Sequence, residues 1–305
     1  MAPKKTVSHK EPCLTKDDTV FSAARAIIGV QAHRLRHNTE NALRNRDPDS
    51  LHDLRVAARR LRSALRIFGP FLEKKVTRTL RGELKWVTRR LNEARNLDIF
   101  FDRIDAGLSK KNISSSARQK ILHAIEEKRM AEKQAMAKVL RSRRYLLVLN
   151  GLDTLRDSLE NVCPGSRKKK HSIMRASGKI MKEALKEITS WKKKTAKDAS
   201  PDDLHRIRIA FKRLRYACEF FRGLYGKNVR RAIRLCIDFQ DTLGDYRDST
   251  LCGQYIQALP HNLPEAAIRI LSEHEKRCAE DAHSRFEKLW NSFPAQMCAA
   301  KKAVL

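Results

Sequence analysis

Asp47-Pro48-Asp49-Ser50-Leu51-His52-Asp53-Leu54-Arg55-Val56-Ala57 is repeated in the second half of the chain as Ser200-Pro201-Asp202-Asp203-Leu204-His205-Arg206-Ile207-Arg208-Ile209-Ala210. The register continues: Arg59-Arg60-Leu61-Arg62 aligns with Lys212-Arg213-Leu214-Arg215, Ala64 with Ala217 and Phe68 with Phe221. After a one-residue slip, Leu91 to Arg95 aligns with Leu243 to Arg247. Such a repeat divides the chain into two copies of one unit. Asp49 or Ser50 can cap the first repeated helix, and Pro201 and Asp202 mark the start of the second.

With a turn every 3.6 residues, His52, Arg55, Arg59, Arg62 and Arg66 fall within an arc of about 80°. Leu54, Ala57, Ala58, Leu61, Ala64, Leu65 and Phe68 occupy the other side. The copy sets His205, Arg208, Lys212 and Arg215 on one stripe, opposite Ile207, Ala210, Phe211, Leu214, Ala217, Cys218 and Phe221; Glu219 stands where Arg66 stood. Both helices read as amphipathic, with an apolar face for the core. The basic stripe does not serve the helix itself, since like charges at i,i+4 each destabilise by about 0.2 to 0.5 kcal/mol. Two such stripes in one register, each headed by a histidine, predict a basic channel between the two helices.

Polyanion is what such a channel admits. Arginine offers forked, permanently charged donors matched to phosphate oxygens, and lysine a mobile point charge. Helix turns repeat every ~5.4 Å, so successive side chains can meet successive units of a linear phosphate polymer. Histidine beside bound phosphate is pushed toward its charged form.

The rest of the 305 residues agrees. Sixty-five lysines and arginines against 35 aspartates and glutamates leave a formal charge of +30, which demands an anionic partner. A hydrophobic content of 41% suffices for a core. Only 11 glycines, 9 prolines and 6% aromatics argue against a sandwich or barrel and for an all-α protein. No apolar run has the length of a signal-peptide core or a membrane span, so a cytoplasmic location is expected. Seven scattered cysteines without a C-x-x-C pair fit neither a disulfide framework nor a zinc ribbon.

Turn residues Cys163-Pro164-Gly165-Ser166 and the charge run Arg167 to Lys170 mark a linker over residues 161–171. A first unit spans 18–160 and a second 172–290, with a flexible basic segment before (1–17) and a tail after (291–305). Helices are expected at about Asp18 to Arg46, Asp49 to Phe68, Glu73 to Leu91, Ser114 to Arg141 and Arg143 to Leu159. The second unit offers Ser172 to Lys194, Pro201 to Phe221, Asn228 to Leu243, Arg247 to Ala258 and Pro264 to Trp290.

At these residues the chain resembles the CHAD family, the conserved histidine α-helical domain. The run His-x-x-Arg-x-x-x-Arg-Arg-x-Arg at His52 to Arg62 and its copy at His205 to Arg215, with Lys212 in the third basic place, carry the likeness. Leu84-Lys85-Trp86 to Leu91 with Arg95 and Asp98, and Leu243-Gly244 with Arg247 and Asp248, extend it to about residues 18–290. Asn92 stands where Gly244 does, and Asn96 replaces an expected aspartate. The resemblance implies two pseudo-symmetric antiparallel four-helix bundles forming one domain around a basic central channel. It also implies non-catalytic binding of inorganic polyphosphate by His52, Arg55, Arg59, Arg60, Arg62, Arg66, His205, Arg208, Lys212, Arg213 and Arg215, without cofactor or metal. Association with storage granules and their proteins is compatible with that role. The Glu-x-Glu-x-Lys motif of the triphosphate-hydrolysing domain often fused to such units does not occur.

Other cations leave two readings open. Arg81, Lys85 and Arg89 form another basic row, either a solvated face or part of the channel. Arg95 and Arg247, beside acidic residues, either make ion pairs or touch ligand. Nonspecific binding of a nucleic-acid backbone is the alternative partner, opposed by the low aromatic content. His52-Asp53 spells the HD dipeptide of metal phosphohydrolases, but further ligands are needed, and in the copy it becomes His205-Arg206. His33 and His37, at i,i+4, read more simply as edge-of-core histidines than as metal ligands, and Trp86, Trp191 and Trp290 as packing residues.

Overall fold

The computed structural model describes residues 11–44, 49–109, 113–160, 172–195 and 199–304. Among these the chain is all-α. Its helices are α1 (Val20–Arg44), α2 (Ser50–Phe68), α3 (Lys74–Ser109), α4 (Ser115–Leu140), α5 (Arg143–Glu160), α6 (Ile173–Lys194), α7 (Pro201–Phe220), the single turn α8 (Arg222–Tyr225), α9 (Asn228–Gln257) and α10 (Glu265–Val304). The expected linker, with Arg167 to Lys170, lies outside the described residues, as do residues 1–10.

Local chemistry starts and stops these helices. The Ser200 hydroxyl accepts from the Asp203 amide at 3.2 Å, while the Asp203 carboxylate accepts from the Ser200 amide at 3.1 Å, and Pro201 occupies the first turn. Asp202, expected to help start α7, instead pairs with Arg206 at 2.8 Å. Ser114 caps α4 through the Ala117 amide. Gly226 ends α8 at φ +59°, in the left-handed region that favours glycine.

Two expected breaks are absent. α3 continues through Asn92, and α9 through Gly244, so the segments expected to end at Leu91 and Leu243 are the first parts of longer helices. The reason is packing at both ends of each helix. The early part of α3, from Leu80 to Ala94, and of α9, from Val229 to Leu243, enter a large core shared with α1, α2, α5, α6, α7 and the Phe286 to Phe293 part of α10. Their later parts, including Phe100 and Ile104 on α3 and Cys252 and Ile256 on α9, join a second core with Ile121 and Ile125 of α4 and Leu271 of α10. α10 likewise continues past Trp290.

In the first half α1 packs on α2 and α5, and α3 on α2 and α4; in the second α7 packs on α6 and α9, and α9 on α10. One apolar core joins both halves. Phe68 and Phe221, the aligned ends of the two repeated helices, meet edge to face with centroids 6.2 Å apart. Phe211, Phe239, Trp290 and Phe293 form an aromatic cluster, in which Phe211 and Phe239 stack at 4.1 Å. Each large side chain so buried contributes about 1.5 to 3 kcal/mol. The Trp290 indole also donates to the Thr195 hydroxyl at 3.2 Å.

Candidate functional site

The apolar faces of α2 and α7 fix where their basic stripes lie. A cavity of ≈ 420 Å³ opens beside their crossing. α2 lines it with His52, Arg55, Arg59 and Arg60, and α7 with His205, Arg208, Lys212 and Arg215. α3 contributes Asn92 and Arg95, and α9 contributes Gln240, Asp241, Arg247 and Asp248. The unbroken course of α3 and α9 past Asn92 and Gly244 is what carries Arg95 and Arg247 into the cavity wall. A larger groove, ≈ 710 Å³, lies between the start of α1 and the end of α5, is lined by mixed charges such as Asp157 and Arg25, and contains none of the expected site residues.

The cavity concentrates positive charge in a poorly solvated space. Arg55 is only 6% exposed. Burial, then Arg59, Arg95 and Arg247, push its guanidinium down to about 9. Burial and Arg247 bring Arg208 to about 10. Lys212 is pushed furthest, to about 6, by burial and then by Arg208, Arg59, Arg247 and Arg55. Desolvation followed by Arg247, Arg208 and Lys212 lowers His205. Each shift records the same cost: a cation held away from water among other cations.

Hydrogen-bonding capacity is also left over. Arg59 Nε, Arg95 Nε and Arg208 Nε are buried and meet no hydrogen-bond partner among the described residues. A buried unpaired donor costs about 1 to 3 kcal/mol. Five of the cavity's cationic residues, Arg55, Arg59, Arg95, Arg208 and Lys212, have no ion-pair partner among the described residues. Carboxylates are few: Asp248 lies 3.7 Å from Arg247, and burial raises the pKa of Asp241. The arrangement can take up several anionic oxygens at once, each replacing repulsion by a charge-assisted bond.

Arg60 differs from its neighbours. Although it borders the cavity, it is paired with Glu219 and, at 2.8 Å, with Glu11, and it stands over the rings of Tyr216 and Phe220. Arg215 is likewise bonded to Glu219 at 2.6 Å.

The cavity does not contain every expected residue. Arg62, Arg66 and Arg213 lie outside it, in a separate group with Arg81, while Lys85 and Arg89 are exposed, the latter 4.0 Å from Glu93. Arg95 and Arg247, which the sequence left open, do line it. Sequence reasoning missed Gln240, Asp241 and Tyr216 as lining residues, because no charge stripe marks them, and it read Asn92 as a helix terminator. His33 and His37 stack with ring centroids 6.5 Å apart. Among the described residues no group of three or more His, Cys, Asp or Glu is placed to hold a metal ion, and no helix is long and apolar enough to cross a membrane.

The CHAD domain family profile matches residues 26–257, which includes both stripes and both α3 and α9 cavity segments. The chain belongs to the CHAD family. Two uncharacterized proteins of Mycobacterium tuberculosis, from strains CDC 1551 and H37Rv, are each 25% identical over 268 residues, covering 82% of this chain and 50% of their own length. The chain therefore spans about half the length of these curated relatives. The crystal structure of the CHAD domain from the plant Ricinus communis superposes with a TM-score of 0.70 at 24% identity, covering 97% of this chain and 94% of that one. PptA from Streptomyces chartreusis gives 0.68 at 15% identity, covering 90% and 100%. At these identities both likenesses establish the CHAD fold shared with this chain.

Proposed function

We propose that this CHAD protein binds inorganic polyphosphate in the α2–α7 cavity and does not turn it over. The observation that carries the reading is the set of half-buried cavity residues Arg59, Arg95, Arg208 and Lys212, which have no ion-pair partner among the described residues, three of them arginines with a buried, unsatisfied Nε. A protein that keeps such a group together has a ligand to compensate it, and an unbranched chain with a charge on every unit matches cations spaced by helix turns. The halves of the chain then act as paired bundles, each giving one basic helix to the same ligand.

The cavity lining favours this chain over nucleic acid. Its one Phe, Tyr or Trp, Tyr216, is 9% exposed, so beyond the imidazoles of His52 and His205 unpaired bases find little to stack on there. Recruitment to polyphosphate-containing granules in the cytoplasm is the cellular consequence of such binding.

Equilibrium binding of long-chain polyphosphate, RNA, duplex DNA and triphosphate, at equal phosphate concentration and equal salt, tests the reading. Polyphosphate is expected to bind most tightly. Equal affinity for duplex DNA overturns the cavity as the binding site, and metal-dependent phosphate release abolished by His52→Ala overturns the non-catalytic part.

A further inference from the structure

A second cavity, of ≈ 180 Å³, adjoins the first where α7 begins against α9. His205, Arg208 and Arg247 line both, so the two spaces share one cationic wall. Beyond that wall the chemistry changes. The buried Leu204 and Leu243 and the half-buried Leu251 and Tyr246 give this annex an apolar lining, to which the exposed Thr250 and Gln254 add polar groups. Leu243, Tyr246, Arg247, Thr250, Leu251 and Gln254 follow one another on α9 at helical spacing, which sets them on one face, and the first two turns of α7, from Pro201 to Arg208, meet that face.

The corresponding place in the first half is filled differently. The register that sets Leu91 against Leu243 puts Ala94 at the place of Tyr246 and Asp98 at that of Thr250. Ala94 is fully buried. The Asp98 carboxylate accepts from Arg129 Nε at 2.7 Å, with Lys133 Nζ 3.7 Å away, so two cations of α4 reach over that part of α3. The repeat thus accounts for the cationic wall on both sides of the cavity and not for the annex. An unsubstituted phosphate chain gains nothing from an apolar lining.

We infer that the annex binds the nucleoside end of a nucleoside 5′-polyphosphate whose phosphates lie in the cavity. The inference rests on a phosphate chain as the cavity's ligand and adds a second class of ligand to it. A volume of ≈ 180 Å³, about that of six water molecules, admits one ring system and not a string of them. Apolar walls with a few polar groups are what a base requires. The leucines cover its faces, and Tyr246, whose own ring lies 5.8 Å from that of His283, offers an aromatic surface. The Thr250 hydroxyl donates to the Tyr246 carbonyl at 2.8 Å and can still accept, while the Gln254 amide can donate and accept at the polar edge of the base. A nucleic acid carries a base on every phosphate and can place only one of them here, so the annex selects a chain with a single terminal nucleoside.

The test sets adenosine 5′-tetraphosphate against inorganic tetrapolyphosphate in equilibrium titrations at equal salt. The inorganic chain carries the greater negative charge, so electrostatics alone favours it. The wild type is expected to bind the nucleotide about tenfold more tightly, as one stacked base would give. Thr250→Met, whose longer side chain fills the annex from an exposed position, and Leu251→Ser, which removes part of its apolar wall, should each reduce that preference at least about threefold. Both should bind inorganic tetrapolyphosphate within about twofold of wild type, and melting curves confirm folding. Equal, weaker or absent binding of the nucleotide overturns the inference, as does a preference that survives in both variants. Equal loss of the two ligands in a folded variant also overturns it, because the annex would then be part of the cavity. Failure of the underlying reading looks different: the wild type would then bind neither inorganic tetrapolyphosphate nor long-chain polyphosphate.

Discussion

Arg55 Nε donates to Asn92 Oδ1 at 3.0 Å, whereas its counterpart in the repeat, Arg208, faces Gly244 and leaves its own Nε buried and unpaired. Arg208 Nη2 lies 3.6 Å from where a Gly244 Cβ would stand. The substitution that looked like a change of helix terminator is a change of partner. One arginine is held by an amide, and the other keeps an unsatisfied donor.

Asn92→Ala is therefore expected to destabilise the ligand-free protein by about 1 to 3 kcal/mol, because it strands a buried guanidinium donor. Gly244→Ala should have the opposite sign, since the added methyl makes only ordinary contact and removes a helix-interior glycine worth about 0.5 to 1 kcal/mol. Thermal melts of the two variants check both signs, and a stable Asn92→Ala protein would show that the amide does not support Arg55.

Much of this was legible in the sequence because charge and apolar residues alternate at the helical period in both copies of one motif. That pattern gave both stripes, and the break at Glu219 marked the place where the copies diverge. The ends of α3 and α9 were not legible, since Asn92 and Gly244 resemble stop signals and only tertiary burial of Phe100, Ile104, Cys252 and Ile256 carries the helices on. Nor was the division of the α2 stripe between Arg55 and Arg59 in the cavity and Arg62 and Arg66 outside it, which depends on how α2 crosses α7. Glu11 carried no local signal, because its contacts with Arg34 and Arg60 join distant parts of the chain.

Lys212 predicts a pH dependence with a definite sign. Its ammonium is depressed from an ordinary 10.5 to about 6 in the folded, empty cavity. Between those values the unfolded chain binds the extra proton, so stability of the ligand-free protein should rise with pH across this window. Near neutral pH the arginines keep their protons, and the lysine is the group that yields. Bound phosphate restores the charge, so binding near neutral pH should take up a proton. Calorimetry in buffers of different ionisation enthalpy measures the uptake, and Lys212→Met should reduce it to the part that His205 contributes. Proton release on binding would contradict the assignment.

Glu219→Gln should separate stability from affinity. Glu219 and Arg60 are 16% and 12% exposed at their side chains, and removing one charge of such a pair leaves the other poorly compensated. Melting temperature is expected to fall, with Glu11 limiting the loss. Polyphosphate affinity should rise, because Arg60 and Arg215 become available to the ligand. A drop in both quantities would assign Glu219 to building the site instead of closing it.

The stripe itself supplies the decisive variant. In the empty protein Arg59 repels its neighbours Arg55 and Arg208, and the same guanidinium groups press Lys212 toward its neutral form. Removing both in Arg59→Ala/Lys212→Ala should leave thermal stability unchanged or slightly raised, since no ion pair is lost and like-charge repulsion is relieved. Binding should weaken, and the slope of log affinity against log salt should fall by about one to two, as expected when about two phosphate contacts disappear. Lys182→Ala/Lys186→Ala, on exposed positions of α6, removes the same charge from the surface. Equal loss of affinity in this control would make binding a property of net charge. An unfolded stripe variant would make Arg59 and Lys212 structural, which the absence of an ion-pair partner for either among the described residues argues against.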